Sequence, residues 1–172
     1  MRRNMFLLAC VLTLGVCGAQ ARAQEVFADP NVEYTLELPT PTWKTTSRAD
    51  GVYQRVEFVN GDRMDGYLRI RKEAINHDET PAAIAARHAD LKLRYKSGYV
   101  GGGKPESFAG RLKGVTMGYE YTEAGKQMAG RVYYLQADDH TVYALHFTGL
   151  REKLQRARNQ TDSIARSFRL KQ

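Results

Sequence analysis

Residues 131–136 and 141–148 constrain the fold more than any other part of the chain. Both stretches are rich in β-branched and aromatic side chains, and the Ala137-Asp-Asp-His140 between them is polar and turn-prone, so the pair reads as a β-hairpin. Successive side chains on a strand point to opposite faces. Val132, Tyr134, Val142 and Ala144 therefore share one face, and Tyr133, Leu135, Tyr143, Leu145 and Phe147 share the other. A sheet that is apolar on both faces has to be covered on both.

Two helical patterns are available as covers. Beyond Gly149 the apolar period changes, and Leu150, Leu154, Ala157, Thr161, Ile164 and Phe168 fall on one face of a helix expected over 150–168. Phe168 closes that stripe and reads as a core anchor. Thr80-Pro81 opens a second helix, since Thr caps well and Pro at the first helical position loses only an N–H that would be unpaired. Ile84, His88, Leu91 and Tyr95, supported by Ala85, line its buried face, and Gly98 is its stop.

The remaining patterns are strands. Residues 32–38 alternate, with Val32, Tyr34, Leu36 and Leu38 on one side; Pro39-Thr-Pro-Thr42 ends the run, and Trp43 comes next as a core lid. Residues 52–59 and 65–72 form a hairpin around Asn60-Gly-Asp-Arg-Met64, with Tyr67, Arg69 and Arg71 on the face opposite Leu68 and Ile70. Strands over 104–108, 112–121, 127–136 and 141–148 complete an antiparallel meander. The fold class expected is α+β: one antiparallel β-sheet of about six or seven strands flanked by helices, in a single domain over 24–172.

Residues 1–23 read as a secretory signal peptide. Arg2 and Arg3 precede an apolar run from Met5 to Val16, and Ala19-Gln-Ala21 and Ala21-Arg-Ala23 have small residues at cleavage spacing. The run is too short to span a membrane. Cys10 and Cys17 lie inside it or at its end; neither has a well-formed lipidation context, so a freely soluble periplasmic or secreted product is favoured over a lipoprotein. Cleavage after Ala23 would leave 149 of the 172 residues, without cysteine, and loss of Arg2, Arg3 and Arg22 would lower the net charge from +7 to +4. That excludes disulfide and thiol chemistry and makes nucleic acid a poor partner.

No catalytic signature emerges. Gly98-Tyr-Val-Gly-Gly-Gly-Lys104 matches most of a phosphate loop, but Pro105 stands where a Mg²⁺-binding hydroxyl belongs, and the segment comes after a helix and not a buried strand. It reads as a helix-to-strand loop, and no nucleotide is expected. His77-Asp-Glu79 and Asp138-Asp-His140 lack zinc-site spacing, so no metal is expected. His88 reads as a core-edge histidine and His146 as a structural strand residue. No Gly-x-Ser-x-Gly elbow is present. Asn159-Gln-Thr161 fits a glycosylation sequon but falls inside the last expected helix. That helix and its end carry Arg151, Lys153, Arg156, Arg158, Arg166 and Arg169, a candidate surface for an anionic partner.

Tyr34-Thr-Leu-Glu-Leu-Pro39 and then Trp43, Val142-Tyr-Ala-Leu-His-Phe-Thr148, and Ile164-Ala-Arg-Ser-Phe168 resemble the opening strand, late core strand and closing helix of the Mog1/PsbP-like superfamily, which includes DcrB-type exported bacterial proteins. The resemblance runs from Val32 to Leu170 and implies an α/β/α sandwich and a non-enzymatic, interaction-type role. Residues 24–31 are too few for the N-terminal extension of the photosystem members, so no metal, chloride or GTPase-binding residue carries over.

The expected function is an exported, non-enzymatic binding or accessory module of the cell envelope, without a cofactor. Its partner would be an envelope protein or an anionic envelope component. The alternative is a small-ligand carrier or unrecognised hydrolase, with Tyr67, Arg69, Arg71 or His146 lining a pocket on the sheet face. A deep pocket holding a polar cluster would favour that alternative.

Overall fold

The structure, a computed structural model, describes residues 24–39, 41–47 and 56–172. The expected leader, with Cys10 and Cys17, and the beginning of the strand expected from Val52 lie outside the described residues. Eleven strands form two antiparallel sheets among the described residues. The first is small: β1 (Gln24–Ala28), β2 (Tyr34–Pro39) and β11 (Arg169–Leu170), in the order β1-β2-β11. The second has eight strands: β3 (Trp43–Ser47), β4 (Glu57–Asn60), β5 (Asp62–Ala74), β6 (Val100–Gly101), β7 (Glu106–Ala109), β8 (Lys113–Glu123), β9 (Lys126–Asp138) and β10 (Thr141–Leu150). Its order is β3-β4-β5-β10-β9-β8-β6, with β7 also paired to β8. The expected α+β class, an antiparallel sheet flanked by helices, is observed; the difference is that β2 lies outside the main sheet and forms its own, with β1 and β11 as partners.

The two-faced hairpin behaves as its alternation requires. Tyr133, Leu135, Tyr143, Leu145 and Phe147 enter one core, with Leu36, Leu38, Trp43, Leu154, Ile164 and Phe168. Val132, Tyr134, Val142 and Ala144 enter the other, with Ile84, Ala85, Leu93, Met117 and Tyr119. The first face is covered by α2 (Arg151–Arg156), α3 (Arg158–Ser167) and the small sheet, the second by α1 (Pro81–His88). Thr80 caps α1 as expected, its hydroxyl accepting the Ala83 N–H at 3.2 Å.

Turns are tighter than the patterns suggest. The first hairpin reverses at Gly61, whose φ of +74° is left-handed, and Asn60 pairs directly with Asp62. The β8–β9 reversal is reduced to Ala124-Gly125, both at positive φ, the two-residue geometry that matches strand twist.

Both helices depart from their expected faces. The first changes pitch after His88: the Arg94 N–H reaches back five residues to the Ala89 carbonyl at 3.0 Å, so 89–93 is a π-helical turn. The extra residue in that turn rotates the chain beyond it. Leu93 becomes 5% exposed, while Leu91 and Tyr95, expected inside, are 63% and 75% exposed. In the second, Leu150 ends β10 with extended backbone and packs in the opposite core from Leu154, so the helical stripe starts at Leu154.

Candidate functional site

Helix α1 covers the second face chiefly over β8 and β9. Toward β5 that face turns polar. Alternation along β5 sends Leu68 and Ile70 into the first core and leaves Arg69, Arg71 and Glu73 on the second face. Register sets Arg69 opposite His146 and Arg71 opposite Ala144 on β10. These in turn face Val132 and Tyr134 on β9. Ala144 and Val132 are short, so a depression opens between the arginines and the segment after α1. Lys92, Leu93 and Lys96 form its other wall with His88. The depression has a volume of about 200 Å³ and opens to solvent.

Positive charge dominates this pocket. Arg69 is half-buried and Arg71 exposed, and neither side chain makes a hydrogen bond or ion pair with any described residue. Lys92 Nζ lies 3.4 Å from His88 Nε2, and Lys96 Nζ sits 4.1 Å from the Tyr121 ring centre. Glu73 is the one carboxylate in the lining, 3.8 Å from His88 Nε2. His88 Nδ1 meets the Tyr134 hydroxyl at 3.2 Å, and His146 Nε2 meets the Tyr119 hydroxyl at 2.5 Å.

Both histidines are held neutral. Burial, reinforced by Arg71, Lys96 and Arg69, pushes the His146 imidazole down to about 3. Burial and then Lys92 lower His88. Burial raises both Tyr119 and Tyr134, so their hydroxyls stay protonated. The Tyr119 hydroxyl and the neutral His146 ring therefore share one hydrogen bond between uncharged groups. With neutral histidines, four cations face one carboxylate, a local excess of three positive charges.

Of the residues expected around a sheet-face pocket, Arg69, Arg71 and His146 come together and Tyr67 does not. The Tyr67 hydroxyl donates to Glu57 Oε1 at 2.5 Å, with Arg63 5.1 Å over its ring. Lys92 and Lys96 are not among the residues expected there. Their signal is the i, i+4, i+8 stripe His88–Lys92–Lys96, visible only if set beside the Arg69–Arg71 alternation.

The basic final helices are differently placed. Arg151 pairs with Glu120 at 3.2 Å, Lys153 with Asp65 at 3.3 Å and Arg156 with Glu152 at 3.8 Å. Arg166 donates to the Ala109 carbonyl and lies 5.1 Å over Phe108, and Arg169 donates to Thr35 Oγ1 at 3.0 Å. Arg158 has no side-chain partner among the described residues and borders a groove of about 320 Å³ with Val100, Leu154 and Gln155.

The other motifs fall on structural positions. Gly102 N–H is bonded to the Gly118 carbonyl at 2.9 Å, and strand β7 comes after the glycine-rich loop where a phosphate loop would have a helix. His77 and His140 approach to 6.0 Å between ring centres, both exposed, and no cluster of three or more metal-ligating side chains occurs among the described residues. Trp43 is 1% exposed, edge-on to Phe147 at 5.7 Å, and donates to Gln160 Oε1 at 2.8 Å, as a core lid should. Among the described residues no helix is long and apolar enough to cross a membrane.

No protein-family model matches the sequence, and no curated protein matches it. Solved structures do match. LpqN of Mycobacterium tuberculosis, involved in cell envelope biogenesis, superposes with a TM-score of 0.57 at 17% identity, over 87% of this chain and 91% of that one. The Ran-binding protein Mog1p of Saccharomyces cerevisiae gives 0.59 at 12% identity, over 87% and 96%. Cyanobacterial PsbP from Synechocystis gives 0.56 at 16% identity, over 92% and 99%. The fold is therefore Mog1/PsbP-like; the likeness does not single out the DcrB type.

Proposed function

We propose that this chain is an exported, non-enzymatic binding module of the cell envelope, and that it takes an anionic ligand in the pocket between β5 and the segment beyond α1. The observation that carries this reading is the pair of unpartnered guanidiniums, Arg69 and Arg71, facing Lys92 and Lys96 across a neutral His146. Cations left without internal partners are available to a ligand, whereas most of those on α2 and α3 are already engaged with protein groups. The lining holds no Ser, Thr or Cys that could act as a nucleophile. Its histidines are half-buried and surrounded by cations, which suits electrostatic recognition better than proton abstraction near neutral pH.

Export is supported by the charge–apolar–small order of residues 1–23. LpqN is involved in envelope biogenesis and Mog1p is Ran-binding; both are in keeping with an accessory role for this fold. The test is intact-mass measurement of the exported product, and then thermal-shift titration with citrate. The expected product lacks residues 1–21 or 1–23 and carries no lipid. Citrate raises its unfolding midpoint, and the rise disappears in Arg69→Ala/Arg71→Ala. A diacylglyceryl group on Cys17 would overturn the soluble assignment, and a citrate response unchanged in the double variant would overturn the pocket.

A further inference from the structure

We infer that the ligand of this pocket presents a phosphomonoester group. The inference rests on the reading of the pocket as an anion site and names the anion. Arg69 and Arg71 stand on alternate residues of one strand, roughly 7 Å apart along it, and form one wall. Lys92 and Lys96 form the wall opposite, with the short side chains of β9 and β10 as the floor between. Donors thus approach a central anion from two sides. A planar carboxylate is satisfied by one bidentate guanidinium and would leave the opposing ammoniums without acceptors. A phosphomonoester offers three acceptor oxygens pointing in different directions and carries about −1.5 to −2 charge near neutral pH, which offsets most of the local positive excess.

The uncharged groups fit the same ligand. His146 Nδ1, with no partner among the described residues, adds a hydrogen-bonding group without adding charge. Leu93, Val132 and Ala144 provide apolar surface for the carbon substituent of an ester. Glu73, the lone carboxylate, lies beside His88, so its repulsion acts at one end of the pocket. The ester group can belong to a soluble metabolite or to a lipid headgroup, and the experiment separates the two.

Isothermal titration of the exported protein with phenyl phosphate and with malonate tests the anion class. Flotation with phosphatidylcholine vesicles, with and without phosphatidic acid, tests the source. Phenyl phosphate is expected to bind saturably, at least tenfold tighter than malonate. Arg71→Ala and Lys92→Ala, both at exposed positions, weaken it tenfold or more with unchanged unfolding midpoints, while Arg169→Ala does not. Flotation that needs phosphatidic acid and is competed by phenyl phosphate supports the ester as a headgroup. Phenyl phosphate binding without flotation supports it as a soluble compound. Malonate binding as tightly, with the same loss in Arg71→Ala, overturns the phosphomonoester and leaves the anion site standing. No binding of either anion, or binding indifferent to both pocket variants, overturns the site as well.

Discussion

His146 sits where sequence and structure give different accounts of one side chain. On the strand it alternates correctly with Leu145 and Phe147 and needs no special explanation. In the fold it lies under two arginines and a lysine, and its imidazole is pushed down to about 3 from an ordinary 6.5. Between those two values the unfolded chain binds a proton that the folded chain does not, so stability falls as pH drops from about 6.5 toward 3 and is unaffected above. Tyr119, Arg69, Arg71, Lys96 and His88 all face this ring, and His88, also lowered, acts in the same direction. Urea midpoints measured near pH 7 and again near pH 4.5 should fall further for the wild type than for His146→Gln. Equal losses would mean that the ring is solvated and titrates normally. At the same scale Arg69 and Arg71 are legible in the sequence as a pair on one face of β5. Their lack of partners is not, because that depends on what the opposite wall contributes.

At the scale of the element, the π-helical turn at 89–93 decides the site. An uninterrupted α-helix would have buried Leu91 and Tyr95, as the 3.6-residue period suggests. One additional residue in the turn brings Leu93 onto the sheet instead and sets Lys92 and Lys96 around the pocket. Leu93→Ala should therefore cost about 2–5 kcal/mol, as expected for truncation of a buried leucine. Leu91→Ala should stay within about 0.5 kcal/mol. Chemical denaturation of the two variants checks this, and the reverse order of costs would restore the regular helix. Periodicity reads the average pitch of a segment, so it locates this helix and its Thr80 cap but cannot register a local change of pitch. For the same reason it counts Leu150 with the final helix, although an extended backbone places that residue on the strand and in the other core.

For the molecule as a whole, Phe168 joins the small sheet to the large one. Its ring centre lies 5.2 Å from Tyr34 of β2 and 5.1 Å from Tyr143 of β10, and none of it is exposed. Phe168→Ala should cost about 3–5 kcal/mol, a large share of the stability of a single domain. An unchanged denaturation midpoint would show that the two sheets hold together without it.

The local order of side chains by itself determined that the 131–148 hairpin is apolar on both faces, that one helix begins after Thr80 and another follows the hairpin, and that the class is α+β. These conclusions come from the two-residue and 3.6-residue periods and from capping chemistry, all of which act within a few residues. Only the tertiary structure decided that β2 leaves the main sheet to pair with β1 and β11. It also decided that Arg69 and Arg71 meet Lys92 and Lys96 around His146. Strand partners and pocket walls come from segments far apart in the chain, and their meeting is set by which apolar faces can be buried together. Alternation within each strand says which face a residue occupies, but not what will stand opposite it.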